Sequence, residues 1–220
     1  FLSVVLRSDR LAKAAMSENL ANQKFLPANE LFRLYESFGA SGAGLLITGN
    51  ILVDHKSLGE PNNIALEEDT PLENFIQWSK TAKKKGSLIW GQINHPGRQC
   101  PVLLSKQPVA PSPIAVNAPF GIFAQPRELK EDEIIYLIRK FTNSAIKLKE
   151  TGFDGVEIHA AHGYLINQFL SPLTNHRKDK WGGSLENRMR FLMEVYRSIR
   201  TKLGKEFSIG VKLNSKDFQH

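Results

Sequence analysis

Cysteine is almost absent from this chain, and so is any long apolar run. Cys100 is the one cysteine among 220 residues, which excludes a disulfide framework and a four-cysteine iron–sulfur site built from these residues alone. Such sparse cysteine is typical of a reducing compartment, so we expect a cytoplasmic protein. The apolar stretch at residues 1–6 is far too short to span a bilayer. A membrane-embedded role is therefore not expected.

Basic residues outnumber acidic ones and give a formal net charge of +7. Such an excess raises the question of a nucleic acid or a membrane surface as partner. The densest lysine run, at residues 80–85, lies in a segment with the pattern of an amphipathic helix, where cations favour the exposed face and the last turn. No aromatic residues alternate with these lysines as in single-strand binding sites. We expect neither nucleic acid nor membrane as a partner.

Short apolar runs alternate with helical patterns along the chain, which indicates an alternating α/β fold with a parallel sheet. The expected strands are Leu11–Met16, Ala43–Gly49, Leu88–Asn94, Gly155–His159 and Ser208–Asn214. The expected helices are Asn29–Phe38, Leu72–Lys85, Glu131–Glu150 and Leu185–Leu203. Ser184 is a candidate N-cap, and Gly152 a candidate left-handed C-terminal cap.

One interval departs from this alternation. Six prolines fall between Pro101 and Pro126, a density that forbids a regular helix and favours a long ordered loop or a short hairpin. A loop inserted after a strand would shape the mouth of a barrel, although a surface excursion without function explains the prolines equally well.

The chemically richest segment follows the fourth expected strand, where His159, His162 and Tyr164 occur within six residues. Carboxyl ends of parallel strands are the usual place for catalytic groups in such folds. Two imidazoles can converge on one anionic oxygen, and a phenol beside them can supply a proton. Core histidines with a packing tyrosine are the structural alternative, and a metal site of Glu157 with the two histidines is another.

The residues around these three side chains resemble a known signature. H-A-A-H-G-Y-L-I-N-Q-F-L-S-P, followed by N-x-R-x-D-x-W-G-G-S-L-E-N-R, is similar to the central motif of the old yellow enzyme family. The resemblance extends from Asp9 to Ser215. It implies a (β/α)8 barrel, bound FMN, NAD(P)H as reductant and hydride transfer to the alkene of an α,β-unsaturated carbonyl compound. In that family His159 and His162 would bind the carbonyl oxygen, and Tyr164 would protonate the α-carbon.

The same resemblance implies a set of flavin contacts at the strand ends. Gln92 is an amide that can both donate and accept toward the pyrimidine edge, and Lys212 adds positive charge there. Gly49 would let the ring approach the backbone closely. The full expected cofactor set is Ala15, Met16, Ser17, Gly49, Gln92 and Lys212. Arg98, in an H-x-G-R turn, is expected to be structural or directed at the phosphate.

Only five strands are expected, whereas a closed barrel needs eight and typically about 250 residues. We therefore expect residues 1–220 to be a single but incomplete FMN-binding barrel domain, truncated on its C-terminal side. The alternative is a truncated, non-catalytic fragment or pseudoenzyme that cannot hold FMN. An iron–sulfur extension, as in dienoyl-CoA reductase relatives, would have to lie beyond residue 220. The composition is compatible with a homo-oligomer.

Overall fold

The computed structural model describes residues 10–216, in which five parallel strands form one curled sheet. The strands stand side by side in chain order, so each follows its predecessor through a crossover connection. They are β1 (Ala12–Lys13), β2 (Leu45–Leu52), β3 (Leu88–Asn94), β4 (Gly155–Ala160) and β5 (Ser208–Leu213). A two-residue strand, Ile64–Ala65, pairs with the end of β2. Sequential parallel order is the arrangement of a βα barrel.

Five helices accompany the sheet. They are α1 (Asn29–Ala40), α2 (Glu73–Lys83), α3 (Glu131–Glu150), the short α4 (Leu165–Leu170) and α5 (Leu185–Leu203). The helices α1 and α2 pack on each other, as do α3 and α5. A Cβ added to Gly91 of β3 would lie 2.5 Å from a Leu148 methyl carbon of α3. The glycine therefore allows the helix to press closely on the outer face of the sheet.

Side-chain alternation in β3 separates the two faces of the sheet. Ile89 and Ile93 belong to the apolar layer shared with the helices. Trp90 and Gln92 point to the opposite, inner face. Glycines on the neighbouring strands make room for the indole, since a Cβ at Gly155 would lie 2.7 Å from Trp90 Nε1. The inner face is thus filled by an aromatic ring at its base and becomes polar toward the carboxyl end.

Most expected elements occur where the sequence places them, with differences at their ends. The third strand and the helices α3 and α5 have the predicted bounds, and Ser184 caps α5 by accepting a hydrogen bond from the Asn187 N–H at 3.3 Å. Gly152 has the predicted positive φ, 87°. The first strand is shorter than predicted, because only Ala12 and Lys13 pair with β2. The short helix α4 was not predicted.

The proline-rich interval is a long ordered loop and not a hairpin. Its two short strands, Val109–Ala110 and Arg127–Glu128, pair in parallel, and a single 3-10 turn covers Pro119–Gly121. Across residues 10–216, no helix combines the length and the apolar character needed to cross a membrane.

Candidate active site at the carboxyl edge of the sheet

The predicted pair of histidines and the tyrosine lie together at the end of β4. The ring of His159 is centred 5.0 Å from that of His162 and 4.9 Å from that of Tyr164, both nearly perpendicular. His159 is the last inward-facing residue of the strand, while the other two belong to the loop that leads into α4. The sequence motif therefore forms one compact cluster, with His159 at its centre.

His159 is buried, with 3% of its surface exposed. Its pKa is lowered from 6.5 to about 3, mainly by burial and in addition by the nearby His162 and Lys212. The imidazole is therefore neutral at physiological pH. Its Nδ1 accepts a hydrogen bond from the Ala161 backbone N–H at 3.3 Å, which leaves the proton on Nε2. The neutral ring can then donate from Nε2 to an oxygen in the site.

His162 occupies a left-handed backbone conformation, with φ of 59°. This conformation is unusual for a residue other than glycine and costs about 1–3 kcal/mol. Two side chains hold it in place. The Asn214 Oδ1 accepts from its N–H at 3.0 Å, and the Gln99 amide donates to its carbonyl at 2.8 Å. The side chain itself is exposed and faces the His159 ring.

Tyr164 precedes α4 directly and is half-buried. Burial raises the pKa of its hydroxyl, the negative charge of Glu60 raises it further, and the Asn50 side chain has the opposite effect. The phenol thus keeps its proton across the physiological range. Asn50 also donates to Ser17 Oγ at 3.2 Å, so it connects the end of β1 to the surroundings of the tyrosine.

Gln92 and Lys212, predicted to contact the cofactor, meet at a shared carboxylate. Gln92 Nε2 donates to Glu157 Oε1 at 2.6 Å, and Lys212 Nζ lies 3.3 Å from the same oxygen. Glu157 lies two residues before His159 in β4, on the same inner face of the sheet. The backbone N–H of Gln92 donates to Thr48 Oγ1 at 2.9 Å. The side chains of Gln92, Glu157 and Lys212 thus form one polar network across the adjacent strands β3, β4 and β5, next to His159.

The end of β1 is fastened to β2 at Gly49. A Cβ at this glycine would lie 2.1 Å from the Met16 carbonyl oxygen, so no larger residue fits. Glu18 accepts from the Gly49 N–H at 3.2 Å and from the Tyr35 hydroxyl at 2.7 Å, and it pairs with Lys13 at 2.9 Å. Packing of the chain accounts for this glycine. Close approach of a flavin ring to it stays a prediction.

The remaining predicted residues of β1 lie near this junction. Ala15 is half-buried, whereas Met16 and Ser17 are exposed. These residues lie beyond the paired part of the strand. Their contribution to cofactor binding stays a prediction.

The alternative metal set gains no support from the geometry. Glu157 is already engaged by an amide and an ammonium group. Among the described residues, the three-residue group with metal-ligand spacing is elsewhere, at Asp54, His55 and Glu67. Lys140 contacts both of those carboxylates, at 3.3 Å from Asp54, and supplies the positive charge that a cation would bring.

The second half of the signature contains an arginine, Arg177, that makes structural contacts. Arg177 is buried, donates to the Pro111 and Leu129 carbonyls, and pairs with Asp179 at 2.6 Å. Arg98 donates to the backbone carbonyls of residues 114 and 115, both at 3.1 Å. Both arginines therefore pin the proline-rich loop, which supports the structural interpretation of Arg98.

Several polar residues of the site were not among the predicted site residues. Asn50 and Glu157 interrupt apolar strands at inward-facing positions, and that pattern was the available signal. Asn94, two residues after Gln92 in β3, is 1% exposed, and neither atom of its amide has a partner among the described residues. Asn214 supports His162 from the end of β5. Loop supports of this kind have no sequence pattern of their own.

Comparisons with known proteins identify the family of this chain. A family model described as the NADH:flavin oxidoreductase / NADH oxidase family matches residues 3–219. The NADH-dependent flavin oxidoreductase iliE of Hypocrea jecorina is 38% identical over 228 residues, which cover 95% of this chain and 57% of that protein. An NADH oxidase of Thermoanaerobacter brockii is 37% identical over 222 residues, covering 98% of this chain and 33% of that protein. The chain thus spans about half or less of the length of these relatives.

Solved structures give the same result. The old yellow enzyme homologue of Zymomonas mobilis superposes with a TM-score of 0.83 at 32% identity, over 93% of this chain and 59% of its own. Morphinone reductase, solved with tetrahydroNAD, gives 0.83 at 30% identity with the same coverage. The predicted fold class is confirmed, since the sheet supplies five strands of a (β/α)8 barrel. The chain belongs to the NADH:flavin oxidoreductase / NADH oxidase family, that of the old yellow enzymes.

Proposed function

We propose that this chain carries the substrate pocket and part of the FMN site of an oxidoreductase that reduces the alkene of α,β-unsaturated carbonyl compounds with NAD(P)H. One observation carries the proposal. A buried neutral histidine, a second imidazole and a protonated phenol lie together beside an amide and an ammonium group at the carboxyl edge of the sheet. The predicted flavin and nicotinamide chemistry is that of the family.

The polar groups on the inner face fit a flavin. Gln92 and Lys212 together offer an acceptor, a donor and a positive charge, which suit the carbonyl and imide groups of the pyrimidine edge. The buried amide of Asn94 lacks partners among the described residues and faces the same side of the sheet. Ala15, Met16, Ser17 and Gly49 would border the ring from β1 and β2. When bound, FMN would accept hydride from NAD(P)H and deliver it to the β-carbon of the alkene.

His159 and His162 bind the carbonyl oxygen of the substrate in this proposal. The neutral His159 ring donates from Nε2, because its Nδ1 is occupied by the Ala161 N–H. Negative charge grows on that oxygen during reduction, so donors aimed at it stabilise the transition state more than the substrate. Loss of one such donor typically lowers the rate by about 10²–10³-fold.

Tyr164 supplies the proton for the α-carbon. Its raised pKa keeps the hydroxyl protonated, and its ring lies against His159, beside the position of the carbonyl group. A general acid must hold its proton until the adjacent carbon becomes basic, and a buried phenol meets that requirement.

The barrel itself is part of the proposal. Among the described residues, β1 and β5 each have one unpaired edge, and the apolar side chains Val211 and Leu213 of β5 are 39% and 56% exposed. We infer that residues 1–220 form one domain with three further strands, as the greater length of the relatives suggests. We call the chain continued to that length the complete protein. Without those strands, the chain would be a non-catalytic fragment.

The reaction is tested with the complete protein, NADH or NADPH, and 2-cyclohexen-1-one. We expect cyclohexanone as product, identified by gas chromatography, with the alkene reduced and the carbonyl retained. Oxidation of the nicotinamide without any saturated ketone would contradict the proposed substrate class while leaving the family assignment intact. A small-molecule substrate, a cytoplasmic location and compatibility with a homo-oligomer belong to the same proposal.

A further inference from the structure

Glu157 is a buried carboxylate at the centre of the proposed cofactor network. Its side chain is 12% exposed, and its Oε1 receives both the Gln92 amide and the Lys212 ammonium group, at 2.6 and 3.3 Å. It comes from β4, between the strands that carry those two partners. A buried carboxylate is costly unless it is paired and hydrogen-bonded, and both conditions hold here.

The contact with Gln92 decides which way its amide points. Because Nε2 donates to Glu157, Oε1 is the atom left to accept a hydrogen bond from a ligand. An amide without such a partner could rotate by half a turn and present a donor instead. A carboxylate accepts but never donates, so Glu157 permits only one of the two orientations.

The contact with Lys212 affects both position and charge. The ammonium group lies 3.3 Å from the carboxylate, and the attraction between the two charges favours this position over the open mouth of the site. At the same time the carboxylate offsets its positive charge. A ligand above this pair therefore feels much less positive charge than an unpaired lysine would provide.

We propose that Glu157 is a positioning residue that fixes Gln92 and Lys212 against the pyrimidine edge of FMN and, by offsetting the charge of Lys212, makes the bound flavin harder to reduce. This inference rests on the proposed function. Glu157 and Lys212 would thereby set the midpoint potential of FMN without having to touch the reacting atoms. The alternative is a purely structural ion pair, whose removal would change stability but not the flavin.

The test compares Glu157→Gln with wild type in the complete FMN-loaded protein. Glutamine keeps the size and an acceptor for Gln92 but removes the negative charge. We expect a more positive FMN midpoint potential and about tenfold tighter binding of sulfite, an anion that adds to oxidised flavin. Glu194→Gln is the matched control, because it removes the same charge from an exposed pair with Arg197, 3.0 Å apart on α5. That variant should match wild type in both measurements.

A second comparison covers the case in which Glu157→Gln does not fold. Lys212→Met should lower the potential, and adding Glu157→Gln to it should raise the potential again. A potential and a sulfite affinity unchanged by Glu157→Gln, in either background, would overturn the inference. Failure of the proposed function looks different, since wild type itself would then hold no FMN or fail to reduce the unsaturated ketone.

Discussion

Acidification should destabilise this protein through His159, and the structure gives the size of the effect. The folded pKa is about 3 because the ring is buried next to His162 and Lys212, whereas the ordinary value is 6.5. Between these values the unfolded chain binds a proton that the folded chain does not. Stability is therefore fully present above 6.5 and is lost progressively as the pH falls toward 3.

Each pH unit between the two pKa values corresponds to about 1.4 kcal/mol. At about pH 4.5 the loss due to His159 amounts to roughly 2–3 kcal/mol relative to neutral pH. That is a large part of a typical net stability of about 5–15 kcal/mol. His95, whose pKa is lowered to about 4 mainly by burial, adds a loss in the same direction.

The assay is urea unfolding of the complete protein at several pH values, with wild type, His159→Gln and His176→Gln. His159→Gln has no titrating group at this position. Between neutral pH and about pH 4.5, its free energy of unfolding should therefore fall by roughly 2–3 kcal/mol less than that of wild type. Replacement of His176, which is exposed, is the control for removing an imidazole from the surface. Equal acid sensitivity of wild type and His159→Gln would refute the reasoning about burial.

Four further outcomes are expected. Tyr164→Phe should leave flavin reduction by NAD(P)H nearly unchanged but slow turnover of an unsaturated ketone by about 10²–10⁴-fold in stopped-flow traces. Equal slowing of both half-reactions would rule out the role of Tyr164 as acid. Replacing His159 and His162 with Ala should abolish the long-wavelength absorption band of bound phenolates while FMN stays bound. A band that survives would mean that the phenolate does not bind at the two histidines. Gly49→Ala should lower the free energy of unfolding in urea by about 1–3 kcal/mol, because the added Cβ meets the Met16 carbonyl. Gly59→Ala, whose Cβ would have its nearest neighbour at 3.5 Å, should not. Equal stability of the two variants would contradict the close packing at Gly49. Residues 1–220 alone should bind FMN weakly or not at all and expose apolar surface that binds dyes. Low-micromolar FMN binding with a cooperative thermal transition would show that the fragment covers its sheet edges in another way.

The fold was predictable because its signals are local and repeated. The apolar run Leu88–Asn94 and the amphipathic pattern Glu131–Glu150 have the bounds that the structure shows. The end of β1 was predicted too long, because a strand continues only while it has a partner to pair with. Beyond Lys13 the chain turns to place the Met16 carbonyl against Gly49. That contact depends on tertiary packing, which local propensity does not encode.

The sequence indicated which residues belong to the candidate site better than it indicated how they contact one another. His159, His162 and Tyr164 are close in sequence, so their clustering follows from a short loop. The meeting of Gln92 and Lys212 at Glu157 joins residues that are 65 positions apart (Gln92 to Glu157) and 55 positions apart (Glu157 to Lys212). It follows from strand order and register, which put three strands side by side. The sequence contained Glu157 as a polar interruption of a strand but gave no indication of its two partners.

The flavin content of the complete protein is the most direct test of the proposed FMN site. The protein is purified without added cofactor, heated to release any bound flavin, and the supernatant is separated by chromatography against FMN, FAD and riboflavin standards. We expect a yellow protein that releases FMN in an amount approaching one per chain. Release of FAD, or a well-folded complete protein that neither contains nor takes up FMN, would contradict it.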